Sequence, residues 1–122
     1  MSHCVVLVGH CGIDGPRLEK ELSQGLPHAR VLRVNSETDL KRCFDEGAEL
    51  LLINREPVGF EREGLDLVRE VCRERPEVKV MLVSDYSDAQ DEAVSAGALK
   101  GFGKSKMGRG AVVETVKSAL AD

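Results

Sequence analysis

The chain has 122 residues, of which 42% are hydrophobic and 31% charged, with a formal net charge of -4; this balance suits one globular domain built round a single core. Its basic residues are dispersed and aromatic residues make up only 3%, which argues against a nucleic-acid partner, since neither a cationic patch nor stacking platforms are available. The first apolar run, Cys4–Val8, is too short for a signal peptide or a membrane span, so a cytoplasmic chain without membrane contact is expected.

In chain order, Cys4–Val8 is a continuous apolar run, the pattern of a strand buried on both faces. Asp14-Gly15-Pro16 opens a helix, with Asp14 predicted as its N-cap and Leu18 and Leu22 on one face; Gly25-Leu26-Pro27 stops it. Ala29–Val34 is a second strand. Ser36 or Thr38 caps a short helix in which Leu40, Cys43 and Phe44 share a face, and Gly47 ends it. Leu50–Ile53 is a third buried strand, followed by the polar loop Asn54–Glu63. Gly64–Arg73 is helical through Leu65, Val68 and Cys72, and Pro76 lies just beyond its end. Val78–Val83 is a fourth strand. Ser87 or Asp88 starts an alanine-rich helix that ends at Gly97, a short strand covers Lys100–Gly103, and Gly108–Ala121 forms a last helix facing inward through Val112, Val113, Val116 and Leu120.

This alternation of strand and helix predicts a single α/β domain over residues 1–122, doubly wound, with a parallel sheet covered by helices on both faces. Ligands in such folds bind at the carboxyl ends of the strands, which here carry Gly9-His10-Cys11, Asn54, Ser84-Asp85 and Lys104. The four cysteines, Cys4, Cys11, Cys43 and Cys72, contain no C-x-x-C pair and read as thiols. With the three histidines they form no metal-ligand spacing, so neither metal nor cofactor is expected.

With those strand ends placed, the chain resembles a response-regulator receiver (CheY-like) domain over nearly its whole length. The strongest local piece is VKVMLVSDYSDAQDEAVSAGALKGFGKS, in which a buried strand ends in Ser84, a helix ends in Ala96-Gly97-Ala98, and Lys104 follows. The resemblance implies a flavodoxin-like sheet of order 2-1-3-4-5, with Ser84 in the family's Ser/Thr position and Lys104 in that of its lysine. Lys104-Ser105 stands where Lys-Pro is usual. Other departures reach the chemistry. The family's acidic pair is replaced by Gly9 and His10, its phosphoryl-accepting aspartate by Asn54, and its switch aromatic by Gly101, with Phe102 in a usually aliphatic place. The loop from Asn54 to Gly64 is longer than the family's by about two residues. A carboxamide is a very poor nucleophile, and magnesium requires hard oxygen ligands, which Gly9, His10 and Asn54 do not supply as carboxylates.

The expected site is therefore a degenerate pocket of Gly9, His10, Asn54, Ser84 and Lys104, with Cys11, Asp14, Arg17 and Asp85 as secondary members. Without a phospho-acceptor, Lys104 needs a new partner among Asp14, Glu56 and Asp85, and Asp85 is expected because it is nearest in the chain. His10 reads as a hydrogen-bonded structural residue, not a metal ligand, and Cys11 as an unreactive thiol, not a redox sensor. The function implied is a pseudo-receiver in bacterial two-component-type signalling, non-enzymatic, contacting protein partners or a second copy of the chain through the face formed by the fourth helix, fifth strand and fifth helix.

Two alternatives compete. His10-Cys11-x5-Arg17 has the spacing of a cysteine phosphatase, whose thiolate sits beneath a cradle of backbone N–H groups beside an arginine fork. Against it, Asp14 would repel a dianion, Pro16 removes a donor, and Leu18 stands where a serine or threonine normally follows the arginine. The other alternative is a small-ligand or anion sensor that uses the emptied pocket beside Lys104 and Ser84.

Overall fold

The computed structural model describes residues 3–108 and 110–121. The elements alternate throughout: β1 (His3–Val8), α1 (Asp14–Gly25), β2 (Ala29–Val34), α2 (Glu37–Asp45), β3 (Leu50–Asn54), α3 (Gly64–Glu74), β4 (Lys79–Val83), α4 (Ser87–Ser95), β5 (Leu99–Phe102) and α5 (Ala111–Ala121). The sheet is parallel, in the order β2-β1-β3-β4-β5, as expected.

Because side chains alternate across a strand, each central strand feeds two cores. Cys4, Val6, Val8, Leu51, Ile53, Val80 and Leu82 pack with Leu40, Cys43, Leu67, Val68 and Val71 of α2 and α3 and with Ala89 and Ala93 of α4. Val5, Leu7, Leu50, Leu52, Met81 and Val83 point the other way, onto Leu18 and Leu22 of α1 and Val112, Val116 and Leu120 of α5. This double burial explains why β1 and β3 read as unbroken apolar runs. Full burial of each such side chain contributes about 1.5–3 kcal/mol. The edge strands β2 and β5 are half-exposed by contrast.

Ser36 caps α2 by accepting the Asp39 N–H at 3.1 Å. Two terminal expectations are corrected. Asp14 is not an N-cap but the first residue of α1, preceded by Ile13 without a side-chain cap, because its carboxylate is directed to Lys104 instead. The last helix begins at Ala111, not at Gly108, since the chain turns through Gly108 and Gly110 at positive φ before it can wind; position 109 of the predicted span lies outside the described residues. β5 runs one residue earlier than predicted, and its pairing with β4 shifts register between Met81 and Val83. Gly101 sits at that irregularity, where a Cβ would stand 2.1 Å from the Leu82 carbonyl oxygen. No aromatic fits there without moving the strand. Among the described residues no helix is long and apolar enough to cross a membrane.

Candidate functional site

The carboxyl ends of β3 and β4 and the turn after β5 surround a cleft of about 410 Å³ lined by Cys11, Asn54, Arg55, Glu56, Val58, Val83, Ser84, Asp85, Tyr86 and Lys104. The fold therefore gathers Asn54, Ser84, Lys104, Cys11 and Asp85 at one place, as the strand-end argument requires. Gly9, His10 and Arg17 lie outside the lining.

Asn54 ends β3 and is 5% exposed. Its Nδ2 donates to the Gly9 carbonyl oxygen at 2.9 Å and to the Glu56 carbonyl oxygen at 3.2 Å. Both neighbours are acceptors, so the amide cannot be reversed and a carboxylate would face two carbonyl dipoles. The loop after Asn54 then folds back over β1. Val58 N–H donates to Gly9 O at 2.8 Å, and Pro57 covers Gly9 so closely that a Cβ on Gly9 would lie 2.3 Å from the Pro57 Cβ. Gly9 itself stands at φ 71, a conformation L side chains rarely adopt. A side chain at this end of β1 is thus excluded twice, by backbone conformation and by the loop. The loop is held at its far end by Arg62, which donates to Glu37 of α2 at 2.9–3.0 Å and to Glu70 of α3 at 2.8 Å. That arginine holds the Glu70 carboxyl below the usual range. Sequence reasoning saw the loop's length but not these anchors.

His10 is 2% exposed, and its Nε2 donates to the Leu52 carbonyl oxygen at 2.9 Å. It is the structural residue expected, and burial holds its pKa below the ordinary value.

Lys104 pairs with Asp14, not with Asp85: Nζ lies 3.1 Å from Asp14 Oδ2. The expectation failed because Asp85 is used by the turn directly after β5, where it accepts the Ser105 hydroxyl at 2.6 Å and the Ser105 N–H at 3.3 Å. The lysine therefore crosses to the first turn of α1, and its ammonium is the main reason the Asp14 carboxyl titrates low. Ser84, 6% exposed, closes the floor of the cleft; its Oγ accepts the Tyr86 N–H at 3.1 Å. Beneath it lies Gln90 of α4, which sequence reasoning missed. Its Nε2 donates to the carbonyls of Leu82 at 2.8 Å and Ser84 at 3.0 Å, and its Oε1 accepts the Gly101 N–H at 3.0 Å. A polar residue in an alanine-rich helix gave no signal of this; only the shifted β4–β5 pairing creates the groups it satisfies.

The Cys11 to Arg17 loop is not built to hold a phosphate. The N–H groups of Asp14, Gly15 and Arg17 already donate to Cys11 Sγ, Cys11 O and Ile13 O. Asp14 stands between the ends of the motif, with Arg17 Nη1 4.0 Å from its Oδ1. Cys11 lines the cleft, whereas Arg17 lines a separate groove with Lys20, Glu21 and Gly108. At the end of β1, Gly9 and His10 offer no carboxylate, and Pro57 occupies the space an acidic side chain at Gly9 would need. Among the described residues no group of three or more His, Cys, Asp and Glu side chains is placed to hold a metal.

No protein-family model and no curated protein sequence matches the chain. Solved structures do. A response regulator from Thermotoga maritima superposes with a TM-score of 0.80 at 20% identity, covering 100% of both chains. The signal receiver domain of a DNA-binding response regulator from Colwellia psychrerythraea gives 0.80 at 15% identity, covering 98% of this chain and 99% of that one. An orphan response regulator of Helicobacter pylori gives 0.77 at 19% identity, covering 97% and 96%. The fold is that of response-regulator receiver domains. Within that fold, the Asn54 amide at the end of β3 braces a loop, and Lys104 is held in an ion pair with α1.

Proposed function

We propose that the chain is a pseudo-receiver: a signalling module of receiver type that has left the phosphorylation cycle and works by binding protein, without enzymatic activity. One observation carries this reading. The Asn54 amide is committed to the Gly9 and Glu56 carbonyls, in a loop that seals the end of β1. Losing the nucleophile alone would be a single substitution. Here the replacement is built into the backbone, and the metal-binding side of the pocket is closed as well. The switch is altered too, because Gly101 replaces the aromatic and Gln90 ties α4 to the β4–β5 bulge. The face of α4, β5 and α5, with Val94 and Leu99 45% and 40% exposed, is available to a partner or to a second copy.

The test is incubation of the whole chain with acetyl phosphate, and separately with beryllofluoride, each with Mg2+. The expected outcome is no gain in mass and an unchanged amide NMR spectrum. Stoichiometric phosphorylation, or beryllofluoride shifts centred on Asn54 and Ser84, would sink the reading.

A further inference from the structure

The cleft that lost its phosphoryl chemistry still contains hydrogen-bonding groups without partners. Asn54 is 5% exposed and lines the cleft; its Nδ2 is fully used, yet among the described residues its Oδ1 accepts nothing. Ser84 is 6% exposed; its Oγ accepts from Tyr86 N–H, and its own proton has no acceptor among the described residues. Lys104 spends one N–H on Asp14 and keeps others that can turn to the cleft. A fixed acceptor thus lies in one small space with two donors. The free Oδ1 opens onto the cleft, so a partner that donates to it and accepts from Ser84 and Lys104 would replace water there.

Charge narrows the partner. Lys104 is neutralised by Asp14, and Arg55, stacked 4.6 Å over the Tyr86 ring, lies 3.0 Å from Glu56. Asp85 adds a further negative charge, held by the uncharged Ser105. A phosphate dianion or a free carboxylate would enter a site whose cations are already paired. A neutral group that donates through N–H and accepts through C=O complements it, and that group is a carboxamide.

The rim indicates what carries the carboxamide. Val58 and Tyr86, from the loops after β3 and β4, are 48% and 63% exposed. Single exposed apolar residues need no explanation, but here Val58 and Tyr86 both line the same polar notch. A ligand small enough to sit inside the notch would leave this rim uncovered. An extended polypeptide would cover it, seating an Asn or Gln side chain in the notch and apolar neighbours on the rim.

We propose that the cleft is a docking notch for an extended segment of a partner protein, which it recognises through a carboxamide flanked by apolar side chains. This rests on the reading of the chain as a protein-binding module and assigns that module a surface other than the α4–β5–α5 face.

The test uses the whole chain and defined probes. Its amide NMR spectrum is titrated with N-acetylasparagine methylamide, with the corresponding aspartate and with inorganic phosphate. Random displayed peptides are then selected on the chain. The asparagine compound is expected to shift Ser84, Asp85, Tyr86 and the Asn54 side-chain amide. Selected peptides are expected to carry Asn or Gln between apolar residues, and Ser84→Ala, which removes the hydroxyl donor together with the acceptor of the Tyr86 N–H, should weaken them about fivefold or more. Tyr86→Ser should weaken the peptides but not the small asparagine compound. Tighter binding of aspartate or phosphate overturns the proposal, as does binding unaffected by Ser84→Ala. Shifts confined to α4, β5 and α5 also overturn it while leaving the module reading intact; covalent labelling by the phosphodonor removes that reading instead.

Discussion

Asn54 differs from aspartate by a single group, and its surroundings make that group matter. The nitrogen that replaces an oxygen donates to two carbonyls, so Asn54→Asp exchanges two attractions for two repulsions and buries a charge. The variant is expected to lose about 2 kcal/mol of stability. The sign with pH is distinctive. Burial and the two carbonyls raise the new carboxyl's folded pKa above its unfolded value, so the folded state keeps the proton longer and the deficit grows as pH rises from about 4 to 7. Urea unfolding of both forms at those two pH values measures it; a deficit independent of pH would show that the amide is not braced as described. In that variant Pro57 would still occupy the space over Gly9.

Between elements, the segment from Asn54 to Glu63 behaves as a strap from β3 across β1 to α2 and α3. It is fixed by Val58 on Gly9 O at one end and by Arg62 between Glu37 and Glu70 at the other. The Arg62 pairs are partly solvent-exposed, with side-chain exposures of 30–45%, so Coulomb attraction is screened and the network is worth less than its geometry suggests. Arg62→Ala is expected to cost only about 1 kcal/mol but to release the strap locally. Hydrogen exchange should quicken at positions 56–63 while β3 and β4 remain protected; equal acceleration throughout would show that the arginine supports the fold as a whole.

For the whole molecule, pH reports how the buried site was built. His10 binds a proton less readily in the folded state, because burial outweighs its hydrogen bond to Leu52, whereas in the unfolded chain it titrates near its usual value of about 6.5. The unfolded state therefore binds more protons as pH falls, and stability declines from about pH 6.5 downward. The depressed carboxyls Asp14 and Glu70 act in a lower window, their contributions being lost only below about pH 4.5 as each becomes protonated. In His10→Gln the first decline should vanish and the second remain. Chemical denaturation at half-unit steps from pH 7.5 to 4 separates the two, and an unchanged upper slope in the variant would show that another group titrates there.

The order of strands and helices, the two-sided burial of the central strands and the carboxyl-end location of the cleft follow from the amino-acid sequence alone, because each depends on local periodicity and on the general handedness of strand–helix–strand connections. So do the residue types at those strand ends, Gly9, His10 and Asn54, which can be read directly. Tertiary structure decided the partners. Lys104 chose Asp14 over Asp85 because Ser105, its neighbour in sequence, had already taken Asp85. Gln90 acquired its role from a register shift no local pattern announces. Asn54 became a brace because Pro57 and Gly9 meet across 48 positions of chain. Hydrogen-bond and ion-pair choices are competitions among groups brought together by the fold, and sequence distance does not rank the competitors.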